Sequence, residues 1–492
     1  MKKSLMFAFI FSLIAVTLPS CTKTLKESGL GFILSSDKTY YSVKVSRKMA
    51  GSLLQNMEVV IPEKYKGLPV KKVEDGGFFQ KRIISLYLPD TVEEIGESAF
   101  GANSSLKTIR WSNNLKIIKA RAFEGCFKLN GDIKLPESLE TIGEEAFCSC
   151  KNANYFLGKN VSSIGNLAFK CSHMVNLRLS NDNPYYKMSD GVLFTYDEET
   201  LIRSNHDEPN GFYSIPNTVK KVSDYAFYGS SIQSLVIPDN VTYVGDYAFS
   251  YCNNLHAVVL SKGLVRLSTG MFFNCDSLSG IDIPNNIQTI CENALAKCQN
   301  LKSVTLNVGL KRIARYGLSS PIENITSLPE GIEVIEDYSF PISRNLTSFT
   351  LPISLKQIGH TFGSVNLEEL IIPIGNEHYH TTDGILYDSE TGELVCCPSG
   401  KEGTVIIEDG TKILTSDSFS NCYKITNLYL PNTLISVSGM LFLESLVNAN
   451  IYYAGTMQEW NNAFIGTFYG NKTIIHCQDG DITYEQQYLP LD

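Results

Sequence analysis

The sequence predicts a β-rich solenoid: a right-handed stack of about 14 coils of 22–24 residues, with two β-hairpin insertions and a cap at each end. Three observations predict it. First, a large apolar residue recurs at Phe78, Phe100, Phe123, Phe147 and Phe169, then at Phe227, Phe249, Phe272, Leu295, Leu318, Phe340 and Phe362, and again at Phe419 and Phe442. Most neighbours in this series lie 22–24 residues apart. Second, short alternating segments end in Leu-Pro or Ile-Pro, as at Leu88-Pro89, Ile237-Pro238 and Leu430-Pro431. Proline suits a strand end, where its missing N–H breaks no ladder bond. Third, no unit of this size can bury its apolar side alone, so stacked copies must share one core.

Residues 234–252, SLVIPDNVTYVGDYAFSYC, serve as the template unit. Leu235 and Ile237 alternate around Val236, which is strand period. Pro238 ends that strand. Val241 and Val244 turn a second short segment inward, Gly245 allows a turn, and Ala248, Phe249 and Cys252 close the unit.

Taken in order, residues 1–20 carry Lys2, Lys3 and an apolar run too short to span a bilayer, and read as a signal peptide. Leu18-Pro19-Ser20-Cys21 resembles a bacterial lipobox, which makes Cys21 the expected lipidation site and the acyl chain the only membrane attachment. Residues 21–29 form a polar tether. Residues 30–72 form an N-terminal β cap, with a hairpin over Phe32 to Val45. The array runs over 73–182, 215–375 and 411–450. It is interrupted at 183–214 and 376–410, where the spacing opens to 58 (Phe169 to Phe227) and 57 (Phe362 to Phe419). The two interruptions resemble each other: Asp190-Gly191-Val192-Leu193-Phe194 matches Asp383-Gly384-Ile385-Leu386-Tyr387. Asp-Gly before alternating apolar residues is a turn entering a strand, so each insertion reads as a hairpin leaving the solenoid. Residues 451–492, with Trp460, depart from the repeat and read as the C-terminal cap.

This pattern resembles the BspA-like leucine-rich repeat family of bacterial surface proteins. The resemblance rests on the Leu/Ile-Pro strand end, the Val-x-x-Ile-Gly-x-x-Ala-Phe segment with Cys three positions later, the Asp-Gly-Val-Leu insertions, the Ile61-Pro62…Tyr65-Lys66-Gly67 start and the Tyr-Ala-Gly-Thr…Trp ending. It implies a curved leucine-rich-repeat solenoid, export and, in some members, adhesion to host proteins or other bacteria. The family motif brings no catalytic residues with it.

The formal charge of −9 includes Lys2 and Lys3, so residues 21–492 sit at −9 − 2 = −11. That balance argues against nucleic acid, where basic patches supply most of the affinity. Apolar content of 43% and charged content of 19% are those of a folded chain. Cys126, Cys150, Cys171, Cys252, Cys275, Cys298 and Cys422 share one repeat position. They read as small buried hydrophobes, as metal sites, for which no paired C-x-x-C signature is present, or as a disulfide ladder. Parallel in-register side chains oppose the ladder, because their Cβ atoms do not face one another. His378 and His380, with His360 upstream, lack an acidic or Cys partner at ligand spacing and read as surface residues, so no metal and no cofactor is expected. No G-x-S-x-G, H-E-x-x-H or P-loop pattern is present. Glu93-Glu94 and Glu144-Glu145 read as a solvated face.

The informative surface is the outward position of the main strands. It runs Tyr87, Arg110, Lys134, Phe156, Arg178, and continues as Val236, Val259, Asp282, Thr305, Ser327, Thr350, Ile371, Tyr429, Tyr452. The first five form a basic and aromatic strip on an acidic chain, and Arg pairs bidentately with carboxylates. The expected function is non-enzymatic binding or adhesion at the bacterial envelope, at the outer membrane or cell surface. A monomer is expected to hold a protein or an anionic glycan on Tyr87, Arg110, Lys134, Phe156 and Arg178. A structural envelope scaffold and a glycan-active enzyme or accessory protein stay open as alternatives.

Overall fold

The computed structural model describes residues 23–25, 27–49, 57–150, 152–170, 177–204, 211–339, 346–362, 366–438, 445–446, 449–466 and 472–485. The expected signal peptide and Cys21, the closing residues Phe340 and Phe442, and Cys171 lie outside the described residues. The chain divides into two units, Met1–Tyr186 and Lys187–Asp492.

In the first unit, Lys23–Leu25, Met57–Val60, Ser85–Tyr87 and Thr108–Arg110 form a parallel main sheet. Asn130–Lys134, Asn152–Leu157 and Leu177–Leu179 form a second one. A return ladder joins Tyr41–Val45, Leu68–Val73, Glu94–Ile95, Ile117–Ile118, Thr141–Ile142 and Ser163–Ile164, all in parallel. Leu30–Leu34 pairs antiparallel with Tyr41–Val45, which is the hairpin expected of the cap. The recurring phenylalanines form one buried column. Ring centroids of Phe78, Phe100, Phe123, Phe147 and Phe169 follow one another at 5.2, 5.4, 5.4 and 5.6 Å, with interplanar angles of 13° or less. That spacing is close to the strand repeat. Burial of one such ring contributes about 1.5–3 kcal/mol, and ring–ring contact adds about 0.5–1.5 kcal/mol.

In the second unit, the main strands include Phe212–Ser214, Ser234–Val236 and Ala257–Val259. Gly280–Asp282 pairs with Ser303–Thr305, and Ser348–Thr350 with Glu369–Ile371. Gly403–Ile406, Ile425–Leu430, Asn450–Tyr453 and Thr473–Cys477 form the last main sheet, closed by antiparallel Gly480–Tyr484. Phe227, Phe249 and Phe272 stack at 5.1 and 5.5 Å, and Leu295, Leu318, Phe362 and Phe419 are also buried. The C-terminal cap holds the helix Met457–Ala463, started by a capping box between Thr456 and Glu459. Trp460 is fully buried and its indole N–H donates to the Tyr484 hydroxyl at 3.0 Å.

The structure sharpens three expectations. The insertions contain the antiparallel hairpins, Val192–Thr195 with Thr200–Ser204 and Ile385–Asp388 with Glu393–Cys396, but these do not leave the solenoid. Their last strands join the return ladder in parallel, Leu201 opposite Val222 and Leu394 opposite Leu414. Val192, Leu193 and Phe194 are all buried, as are Ile385, Leu386 and Tyr387. A continuous apolar run covers both faces of a strand, which an exposed hairpin would not allow.

The turn count is about 17 against the 14 expected. Lys23–Leu25 in the expected tether already pairs with Met57–Val60, and Thr473–Cys477 in the expected cap continues the main sheet.

Gly245 does not supply the turn. Its backbone approaches the neighbouring coil so closely that a Cβ would lie 2.4 Å from the Asp224 amide nitrogen. The left-handed residue sits two positions later, at Tyr247 with φ 54°. Tyr225, Asn293, Tyr316 and Tyr338 repeat that conformation in this unit, and Ser98, Arg121, Glu145 and Leu167 in the first. Side chains rarely adopt it. Here amide hydrogen bonds to the adjacent coil hold each turn: Ser98 N–H to Ala120 O at 2.9 Å, Tyr247 N–H to Thr269 O at 2.8 Å.

Candidate interaction surface

The outward strip of the first unit is built by strand register. Val60, Tyr87 and Arg110 occupy one line across three paired strands, and Lys134, Phe156 and Arg178 another. The two lines belong to separate hydrogen-bonded sheets, so the structure brings the five expected residues together as a pair and a triplet. The break falls in the longest coil of the array, 24 residues from Phe123 to Phe147, where Gly131 takes φ 78°.

Each group joins a cation to a ring. The Arg110 guanidinium lies 4.4 Å from the Tyr87 centroid, and the Lys134 ammonium 6.0 Å from that of Phe156. Contacts of this kind contribute about 0.5–1 kcal/mol at exposed sites. Arg110, Lys134 and Arg178 are exposed, whereas Tyr87 and Phe156 are half-buried. A shallow groove of about 300 Å³ runs over the triplet, with Asp132, Asn154 and Tyr155 also on its wall. Lys134 is only loosely held by Glu137, at 3.7 Å and with 71% of its side chain exposed. Arg178 has no ion-pair or hydrogen-bond partner among the described residues. Sequence reasoning missed Asp132 and Asn154, which are joined by a 2.8 Å hydrogen bond. The same period-two rule finds them, one outward position before Lys134 and Phe156.

The corresponding positions of the second unit are placed outward as expected but differ in chemistry. Val236 pairs with Val259, Asp282 with Thr305, Thr350 with Ile371, and Ser327 bridges to Thr350. Toward its end, Ile406, Tyr429, Tyr452 and His476 form one register line. Tyr429 stacks on Tyr452 at 4.7 Å, and Tyr452 on His476 at 5.1 Å.

The other constellations have structural roles. Cys126, Cys150, Cys252, Cys275, Cys298 and Cys422 are fully buried. The first five each donate to the carbonyl of the closing residue one coil earlier, from Cys126 to Phe100 at 3.4 Å through Cys298 to Phe272 at 3.1 Å. Asn103 makes the same bond to Phe78 O at 2.8 Å, so the position is a plug for an inward carbonyl. Burial pushes the thiols of Cys126, Cys252 and Cys298 up to about 12. The histidines take separate carboxylates: His360 faces Asp417 at 3.4 Å and His380 faces Glu408 at 2.7 Å. Among the described residues, no group of three metal-ligating side chains converges. Glu94 lies between Lys72 (3.2 Å) and Lys119 (2.8 Å), and Arg121 meets Glu145 at 2.7 Å, so the acidic pairs tie neighbouring coils together. Among the described residues, no helix is long and apolar enough to cross a membrane.

The sequence model of the family described as "BspA type Leucine rich repeat region (6 copies)" matches residues 71–189, 212–290, 266–382 and 399–477. No curated protein sequence matches the chain. Among solved structures, the pneumococcal vaccine antigen PcpA shares 20% identity with a TM-score of 0.51, over 66% of this chain and 93% of that one. A leucine-rich cell surface protein of Faecalibacterium prausnitzii shares 22% identity with a TM-score of 0.43, over 63% and 93%. A leucine-rich repeat protein of Bacteroides ovatus shares 20% with a TM-score of 0.41, over 82% and 94%. The likeness to PcpA is one of fold.

Proposed function

Because the chain belongs to the BspA-type leucine-rich repeat family, we propose that it is a non-enzymatic binding protein of the bacterial cell surface that holds an anionic macromolecule on the strand face of its first unit. The observation that carries this reading is the triplet Lys134, Phe156, Arg178, set in register across three parallel strands beneath an open groove. Two cations flank a ring on a chain whose formal charge is −9. Carboxylates or sulfates would meet the cations, and an apolar part of the ligand would cover Phe156. Arg110 over Tyr87 offers a second foothold on the neighbouring sheet. Attachment through an acylated Cys21 would place this face at the envelope, and metabolic labelling with a palmitate analogue tests it, the label disappearing in Cys21→Ser.

The binding test uses immobilised polyglutamate and a sulfated polysaccharide as separate arms. Reversing Arg110, Lys134 and Arg178 to Glu should lower affinity in at least one arm by tenfold or more, with the melting temperature nearly unchanged. Loss in the first arm alone identifies an acidic protein surface, and loss in the second an anionic glycan. Unchanged affinity in both rejects the strip as the site.

A further inference from the structure

A second cavity, of about 310 Å³, lies in the second unit where the repeat is cut by its insertion. Its origin is a shortened turn. From the end of the return strand to the closing residue, Ile290 to Leu295, Ile313 to Leu318 and Leu414 to Phe419 each span five positions, but Ile358 to Phe362 spans four. The left-handed residue present at Tyr316 and Tyr338 has no counterpart here, since no residue from His360 to Phe362 has positive φ. The next coil is the insertion's own and closes early: Cys397, three positions after Leu394, already donates its amide to Ser418 O at 2.8 Å, so this coil has no full turn to place there. The stack of turns is therefore open between Gly359–Phe362 and Asp417–Asn421, and the cavity fills that gap.

Its walls are of two kinds. Leu386, Val395 and Cys396 supply an apolar floor. Tyr338 forms a side wall: its ring stacks on Tyr316 at 5.4 Å and 11°, yet the residue remains 47% exposed and lines the opening. Around them stand His360, Thr361, Asp417, Ser420 and Asn421. His360 faces Asp417, the one carboxylate on the wall, at 3.4 Å, and the Ser420 hydroxyl donates to the same carboxylate at 3.5 Å. Asn421 accepts a hydrogen bond from the Tyr423 hydroxyl at 3.0 Å, and its NH2 has no protein acceptor among the described residues.

We infer that this cavity binds a single neutral pyranose ring, the terminal or branching sugar of a glycan. The volume is at the lower end for ligand cavities, about 300–1,000 Å³, which suits one small ring. The wall has no lysine or arginine to hold an anion, and its single carboxylate already meets His360 and Ser420. It offers instead an aromatic surface for C–H groups and, within one small opening, acceptors and donors suited to adjacent hydroxyls. A purely apolar ring would strip water from Asp417 and Asn421 without replacing its hydrogen bonds, and would leave both groups unpaired. The site is remote in sequence from the basic strip and does not rest on it.

The test is saturation-transfer NMR on the full chain, with the methyl pyranosides of glucose, galactose, mannose and N-acetylglucosamine as probes. At least one should receive transfer at millimolar concentration. Asp417→Asn and Tyr338→Ala should each weaken that binding by about tenfold, Tyr338→Phe should retain it, and Lys134→Glu with Arg178→Glu should leave it unchanged. Thermal melts of each variant separate lost binding from lost folding. Absence of transfer to all four sugars, or its survival in both Asp417→Asn and Tyr338→Ala, overturns the inference. Competition by 4-nitrophenol stronger than by any sugar overturns the sugar assignment.

Discussion

The two units have interiors of the same kind and differ outside. Phe100 and Phe123 stack in the first much as Phe249 and Phe272 stack in the second, at 5.4 and 5.5 Å. On the main strands above those columns, the first unit shows Tyr87, Arg110, Lys134, Phe156 and Arg178. The second shows Val236, Val259, Asp282 and Thr305 before its terminal tyrosines. An inward residue must match its copies one coil away, because both share one row of packing. An outward residue meets only solvent and its cross-strand neighbours, so its chemistry is free to change from coil to coil. The interior therefore speaks for the architecture, and the divergent exterior is where recognition is to be sought.

The comparison is broken most forcefully from inside. Phe123→Ala and Phe249→Ala should each cost about 3–5 kcal/mol, read by denaturant unfolding. Similar losses support the same packing in each unit, and a loss confined to one unit would show that the two interiors are not alike. A smaller effect probes the spacing between coils. Gly143→Ala and Gly245→Ala each bring a Cβ to 2.4 Å from a neighbouring backbone nitrogen, of Ala120 and Asp224. Overpacking of this kind should cost about 1–3 kcal/mol.

Read over a single pH unit, the smallest effect per site comes from the plugging thiols. Burial raises Cys126 in the first unit and Cys252 and Cys298 in the second from 9.0 to about 12. Between those values the folded state keeps protons that the unfolded state has released. Their contribution is thus complete below pH 9 and lost as pH rises toward 12, with a slope of roughly 1.4 kcal/mol per pH unit for each thiol. Unfolding curves at pH 8 and pH 10 should show the fall, and Cys→Ala variants should flatten it. A flat wild-type profile would mean that the thiols are not shielded as described.

Much of the fold could be read from the sequence because period and burial coincide. The spacing from Phe78 to Phe169 became a column of rings, and the Leu/Ile-Pro steps became strand ends. The outward strip was readable for the same reason, since strand alternation fixes which residues share a face. What escaped reading depends on contacts between coils rather than within one. Nothing local to Gly245 reveals that Asp224 lies against it, and nothing local to Tyr247 reveals that the next coil holds its left-handed backbone. The role of Val192 to Phe194 was obscured by the Asp-Gly turn before them, which announces a hairpin without saying that both faces are covered. The missing residue between Ile358 and Phe362 was countable, but its meaning as an opening appears only when the neighbouring turn is in place.

The rung-by-rung hydrogen bonding of main strands, return strands and turns has a mechanical consequence. Within either unit, a pull on the first coil loads that coil's bonds to its neighbour and few others, so resistance is met serially. Each released coil of 22–24 residues would lengthen the chain by about 75–85 Å when drawn straight. A tether with this character sheds load in repeated small yields, and the coils still in place keep their faces available while the outermost gives way.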